Sequence, residues 1–290
     1  MRKNTPPRKT PVNYVISFVR IREKEKYKYQ KGNGSKSSKM KKLNIDYLNL
    51  YRGAAIRICS GIALHIPTLS EICEYGETRY YQMVTTLCST GIDFCWQLDE
   101  MGIPFDEISD YQLFCQLLRK YYTADDSRIL FGSRLDLSKM KTCVDQKNNI
   151  LLIQREEGND DDIMIDEDTY LKIAGCLRAI HHLKRDDRVA GTNSCRRAFI
   201  EDAKMEYEAR KLEPARSTLL PMISTMVNSE GFKRNDKTVW DMNIFAFMDS
   251  VKRISKIKNA DLLLRSGYSG FGIDLKKVRK EELNYMGELH

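Results

Sequence analysis

The spacing of apolar residues changes character near residue 166, and that change sets the range of folds open to this chain. Before it, apolar runs are short and broken by turn-forming residues. Ile56–Cys59 and Ile62–Ile66 flank Ser60-Gly61 and predict a β-hairpin. Asn44–Tyr51 and Ile129–Phe131 read as further strands, and Thr142–Val144 and Ile150–Gln154 flank the turn-rich Asp145–Asn149, with Ile163–Ile165 beyond. Two helices interrupt these patches. One starts at Thr68, with Glu71 completing a capping box and Gly76 inside it; the other covers Ser109–Tyr122, with Leu113, Phe114, Leu117 and Leu118 inward.

After residue 166 the period is helical. Asp166 is a candidate N-cap for the stripe Tyr170, Ile173, Ala174, Leu177, Ile180. A charged loop, 184–188, leads to a long helix over 192–212 with a thin apolar face of Cys195, Phe199 and Ala203. Leu219–Val227 is a short buried helix with Pro221 in its first turn. Asp236 or Thr238 starts a helix with the stripe Ile244, Phe247, Val251, Ile254, Ile257. A turn at Leu262–Leu264, the loop Gly267–Gly272 and a short helix within 278–289 follow. The fold class is therefore α+β: a small mixed α/β N-terminal half followed by an all-helical C-terminal half. The acidic stretch 156–162 is the natural boundary, giving a mixed domain over 43–165 and a helical domain over 166–290.

The formal charge of +8 is unevenly placed. Residues 1–42 carry 14 Lys/Arg against two acids, net +12, so the rest is net −4; within it, residues 99–168 hold 17 acids against eight bases. The basic segment is expected to be a disordered tail, and Gly32–Ser38 before Met40 reads as flexible linker, so Met40 is a candidate start of the working protein. The functional reading of the tail is contact with nucleic acid through counterion release. No apolar run approaches the ~18 residues of a membrane-spanning helix, and Val12–Val19 lacks the cleavage site of a secretory signal.

The chemistry-bearing residues form no recognisable catalytic, cofactor or metal set. None of the eight cysteines has C-x-x-C spacing, and Cys73, Cys88, Cys115 and Cys176 read as small buried hydrophobes. His181 and His182 are adjacent, point about 100° apart on a helix, and suit the carbonyl end of its dipole. The acids of 156–168 lack the order of a calcium loop and read as a solvated loop; a metal-dependent enzyme using them is the weakest reading. Gly267–Gly272 follows a helix rather than a strand, which removes a dinucleotide fingerprint and favours a helix cap. The long mixed-charge helix is the more informative feature, since a thin apolar face suits a bridging or partner-binding role.

Several segments resemble a family of uncharacterised proteins from tailed phages and prophages of Gram-positive bacteria. They are 68–77 (TLSEICEYGE), 101–105 (MGIPF), Phe131-Gly132 with 135–138 (LDLS), 227–233 (VNSEGFK), 239–254 (VWDMNIFAFMDSVKRI) and the 267–272 loop. The resemblance covers residues 43–289. It implies a non-enzymatic tail-assembly chaperone or minor virion component, acting in the host cytoplasm during assembly or in the virion, with other phage tail or virion proteins as partners. It carries no cofactor and no catalytic residue. The contact surface is then expected at Arg196, Arg197, Glu201 and Arg210 on the long helix and at Gly267, Tyr268 and Phe271 in the loop. Nucleic acid would be reached only through residues 1–42.

Overall fold

The computed structural model describes residues 45–155, 162–212, 216–270 and 272–289. The basic segment 1–42 and most of the acidic loop, 156–161, lie outside these, as does Phe271. The described chain is α+β, with two small sheets before residue 166 and no strand after Ile165.

The described chain opens with helix α1 (Tyr47–Tyr51), where alternation predicted a strand. Asp46 decides the matter: its carboxylate accepts from the Asn49 N–H at 3.1 Å, capping a turn that buries Leu50 alone. The hairpin follows as expected, β1 (Ile56–Cys59) antiparallel to β2 (Ile62–Leu64). Thr68 and Glu71 then form the reciprocal capping box that starts α2 (Leu69–Tyr75). Gly76 was expected inside one helix. It instead separates α2 from α3 (Glu77–Leu87), because its φ of 100° is a conformation that side chains disfavour and no α-helix contains.

A 3₁₀ turn (Ile92–Phe94) leads to α4 (Cys95–Glu100) and then α5 (Asp110–Leu113), capped by Ser109 and Gln112. The predicted 109–122 helix continues as a π turn (Phe114–Leu118) and a 3₁₀ turn (Arg119–Tyr121). Ile129–Phe131 belongs to helix α6 (Ala124–Phe131) rather than to a strand, because Thr123 and Asp126 cap each other across its first turn. The second sheet has the order β3 (Lys141–Val144), β4 (Ile150–Gln154), β5 (Ile163–Ile165), all antiparallel.

Asp166 caps α7 (Glu167–His181), accepting from Thr169 N–H at 2.8 Å. Helices α8 (Asn193–Leu212), α9 (Leu219–Val227) and α10 (Ile244–Tyr268) follow, with a last turn α11 (Lys280–Leu283). Helix α10 begins at Ile244, not at 236 or 238, because Asn243 is its N-cap, accepting from Ala246 N–H at 2.9 Å. Leu262–Leu264 is helical rather than a turn.

The main core crosses residue 165. It joins Leu64, Leu69, Tyr80 and Val84 from the first part to Tyr170, Leu177, Ile244 and Phe247 from the second. Tyr170 stacks on Phe114 with centroids 4.7 Å apart, and the Tyr111 hydroxyl donates to Ile165 O at 2.7 Å. A smaller core gathers Ile92, Phe94, Leu98, Ile103, Phe105 and Leu113.

Two segments far apart in the sequence are stitched together at Thr68 and Asn243. Ile244 N–H donates to Pro67 O at 2.8 Å and Leu69 N–H to Met242 O at 2.9 Å, so Thr68 and Asn243 form an antiparallel bridge between two helix N-caps. Asn243 Nδ2 also donates to Tyr51 O at 3.0 Å. Asn243→Ala is expected to cost about 2 kcal/mol from lost cap and crosslink together. Asn243→Asp, which keeps the capping acceptor, should cost less; urea unfolding of the three proteins checks the order.

His181 corrects the charge–dipole expectation. It is buried, its Nε2 lies 2.9 Å from Tyr80 Oη, and burial, helped by His182, pushes its pKa down to about 3. The ring is therefore neutral and supplies packing rather than charge. Because the folded value lies below the unfolded one, the unfolded chain gains a proton first as pH falls below about 6.5. Stability should fall by about 1 kcal/mol between pH ~7.5 and ~5.5 from this group. The carboxylates held low, such as Glu71 and Asp126, lose their contribution only at lower pH. Denaturant titrations across this window should show a flatter dependence in His181→Asn.

Candidate partner-contact surface

The placement of α8 begins at a buried ion cluster. Asp110, the first residue of α5, receives Arg185 through two hydrogen bonds, Nε at 2.9 Å and Nη2 at 3.0 Å. Arg178 of α7 lies 3.7 Å from the same carboxylate and donates to Cys88 O. One acid thus fixes the 184–188 loop that the sequence marked only as charged, and this loop delivers the chain to α8. Arg188 then sits over the Phe199 ring, 5.3 Å from its centroid.

Helix α8 lies against the smaller core. Phe199, Ile200 and Ala203 pack on it, and Tyr207 meets Trp96 with centroids 5.1 Å apart. Two ion pairs flank this stripe: Arg196 with Asp106 at 3.2 Å and Lys204 with Glu100 at 3.4 Å. The Arg196 guanidinium also lies 5.1 Å from the Phe105 ring centroid. The inward face is therefore Arg196, Phe199, Ile200, Ala203, Tyr207, rotated by roughly half a residue step from the expected Cys195, Phe199, Ala203. Cys195 is exposed, and no residue of α8 is fully buried.

The expected contact residues divide accordingly. Arg196, half-buried, serves the internal interface. Arg197 and Glu201 are exposed, and Arg210 pairs along the helix with Glu206. The outward face also carries Ala198, Met205, Ala209 and Leu212, a second apolar stripe that sequence reading passed over. Met205 is 64% and Leu212 87% exposed. Its signal was the 198, 205, 209, 212 spacing, hidden among charged neighbours.

The described residues of the glycine loop sit at the end of a helix that packs elsewhere. α8 packs on α4 and the 92–94 turn, whereas α10 packs on α7, α1 and α11. Gly267 is in the last turn of α10, where a Cβ would come 2.2 Å from Leu275 Cγ; the glycine lets the returning chain lie against the helix. Gly270, at φ +77°, turns the chain after Ser269, as a helix-ending cap requires. Tyr268 is 81% exposed, and Phe271 lies outside the described residues.

Other chemistry-bearing groups have structural roles. Burial pushes the Cys88 and Cys115 thiols up to about 12 and Cys176 to about 11, so they are protonated at neutral pH. Cys73, expected inside, is exposed on α2, whose buried positions are Leu69 and Ile72. Among the described residues no group of three or more His, Cys, Asp or Glu is placed to hold a metal ion, and no helix is long and apolar enough to cross a membrane. A cavity of about 530 Å³ between α1, β1 and α7 is lined by Leu50, Ile56 and Ile58 with Arg57 and Lys172, but its carboxylate, Asp46, is committed to capping α1.

The α8 interface consists of half-buried rings and exposed ion pairs, each of the latter contributing at most about 1 kcal/mol. Phe199→Ala should weaken it by roughly 2 kcal/mol, below the cost of a fully buried ring. Limited proteolysis should then cut within 192–212 sooner, while the main core unfolds at an unchanged denaturant concentration. No protein-family model matches the chain, and comparisons with curated proteins and with solved structures gave no match either.

Proposed function

We propose that this protein is a non-enzymatic assembly protein of a tailed phage or prophage, a tail-assembly chaperone or minor virion component, that binds another tail or virion protein through the outward face of α8. The observation that carries this reading is the two-faced helix. Its inner stripe holds it to the smaller core, and its outer stripe of Ala198, Met205, Ala209 and Leu212 is left to solvent, rimmed by Arg197, Glu201 and Glu208. An amphipathic helix presenting such a stripe suits the groove or helix of a partner protein. The segment resemblance supplies the biological setting, host cytoplasm during assembly or the virion.

Co-expression of the full chain with individual phage tail proteins should give one that co-purifies. Met205→Asp with Leu212→Asp should then lower its affinity at least about tenfold, the size expected when an anchor is charged. Arg196→Ala should act mainly on stability. Undiminished binding by the double variant would sink the assignment to α8. The net +12 of residues 1–42 favours a second reading, nucleic-acid binding by that segment. It predicts DNA affinity that falls steeply with salt and is lost in a chain starting at Met40.

A further inference from the structure

We infer that β3 is a self-pairing edge through which two copies of this chain join their sheets about a two-fold axis at Cys143. The surface is separate from α8, and the inference does not depend on the partner reading above.

β3 is an outer strand of the β3–β4–β5 sheet, and all four of its residues are exposed, Val144 at 60%. The other outer strand, β5, differs: Ile163 and Ile165 are buried, and Gly61 of the first hairpin lies against the Ile163 side chain. The hydrogen-bond phase of the open edge follows from the hairpin. Asp145 N–H donates to Asn149 O at 3.0 Å, which makes 145/149 a bonded pair. The registered pairs Val144↔Ile150, Cys143↔Leu151, Thr142↔Leu152 and Lys141↔Ile153 then alternate from it. Cys143 and Lys141 turn their backbone groups toward β4. Thr142 and Val144 turn theirs outward, and among the described residues no backbone hydrogen bond outside the sheet engages them.

The sequence of this edge, Lys141-Thr-Cys-Val-Asp145, complements itself when reversed. In an antiparallel pair centred on Cys143, Thr142 faces Val144 of the second copy at both bonded positions, giving four backbone hydrogen bonds. Lys141 faces Asp145 of the second copy twice, so each copy contributes one cation and one anion to two opposite-charge pairs. Lysine on an edge strand ordinarily repels an incoming strand; here the anion four residues on neutralises that protection for one partner and one register. The same edge on both copies is an isologous contact, which closes at two subunits. Asp145 is part-exposed, so its carboxylate can meet a lysine from the second copy while it also anchors its own turn, accepting from Lys147 N–H, Asn149 N–H and Asn149 Nδ2.

The two Cys143 residues would form a non-bonded pair with Cα atoms about 4.5 Å apart, within the range a disulfide can bridge. This gives the test a chemical readout of register. Full-length protein is studied by analytical ultracentrifugation under reducing conditions across a concentration series. The wild type should show a reversible monomer–dimer equilibrium, weak because the edge is short. Lys141→Asp and Asp145→Lys should each weaken dimerisation about tenfold, by turning two attractive pairs into like-charge pairs. An equimolar mixture of these two variants should recover it, since each then faces the opposite charge. Asp145→Lys also removes a turn anchor, so Val144→Pro serves as an independent variant: its lost N–H points outward, leaving the β4 ladder intact while blocking the edge. In a Cys73→Ser, Cys195→Ser background, diamide should trap a dimer whose crosslink maps to Cys143. A wild type that stays monomeric, a dimer indifferent to both Lys141→Asp and Val144→Pro, or a crosslink mapped elsewhere would overturn the proposal. The first of these would leave the edge to a strand from a different protein.

Discussion

Residues 110–121 have to face two cores at once. Tyr111, Phe114 and Cys115 belong to the main core, whereas Leu113, Leu117 and Leu118 belong to the smaller one. A regular α-helix of this length offers each side a stripe separated by 3.6 residues. The π turn at Phe114–Leu118 adds a residue to the turn and lets adjacent positions serve opposite neighbours. Arg119 closes the arrangement. Its buried guanidinium donates to Cys115 O, Leu137 O and Thr142 Oγ1, at 3.0, 3.1 and 3.0 Å, so it ties the turn to the segment entering β3 and to β3 itself. These are neutral acceptors, and burial lowers the Arg119 pKa. The cation is held by carbonyl and hydroxyl dipoles, an arrangement that tolerates little displacement. The sheet with its open edge and the platform under α8 are therefore two sides of one short segment.

The closure at Thr68 and Asn243 fixes the other end of the molecule. It brings together residues about 175 positions apart, and each of the two side chains caps a helix there. Glu77 makes a comparable long-range cap. Its carboxylate accepts from Thr218 N–H at 2.7 Å and Leu219 N–H at 2.9 Å, so an acid on α3 starts α9. Hydrogen bonds to the ionised form hold its pKa below the usual carboxylate range against the desolvation that raises it. In this all-helical half, tertiary polar contacts at helix ends settle where elements meet, and apolar packing then follows along their stripes.

The elements whose boundaries were legible in the sequence are those whose start is written locally. Thr68 with Glu71, Asp166, and Ser60-Gly61 each act within four residues, and each placed its element. Two of the misread segments carry caps that are just as local but lie under a strand-like apolar pattern, and the others depend on something more distant. Asn44–Tyr51 and Ile129–Phe131 have strand-like composition, and Asp46 and the Thr123–Asp126 pair override it with caps. The start of α10 is set by Asn243, whose second partner, Tyr51 O, is remote in sequence. On α8 the length was legible, but its facing was not. Arg196 reads as a solvated cation until Asp106 and the Phe105 ring, ninety residues away, are placed beside it. The same limit affected the acidic excess over 99–168, of which Glu100, Asp106 and Asp110 meet Lys204, Arg196 and Arg185.

That internal pairing changes what the charge distribution implies. Acids that looked available for a cation or a basic partner are partly used in attaching α8 and its leading loop, and the bases on the inner side of α8 are used likewise. What α8 offers outward is then decided by its apolar stripe rather than by charge. Its attachment is made of contacts that are individually weak: half-buried rings, exposed ion pairs and cations over aromatic faces, the last about 0.5–1 kcal/mol each at exposed sites. Elements held in this way open at free energies well below global unfolding. A partner gripping both faces of α8 would have to displace the Arg196–Asp106 and Lys204–Glu100 pairs and expose Phe199. A partner using only the outer stripe gains its contacts with the inner ones intact. The second arrangement costs less, and it leaves the smaller core, the segment 110–121 and the β3 edge undisturbed when the helix is occupied.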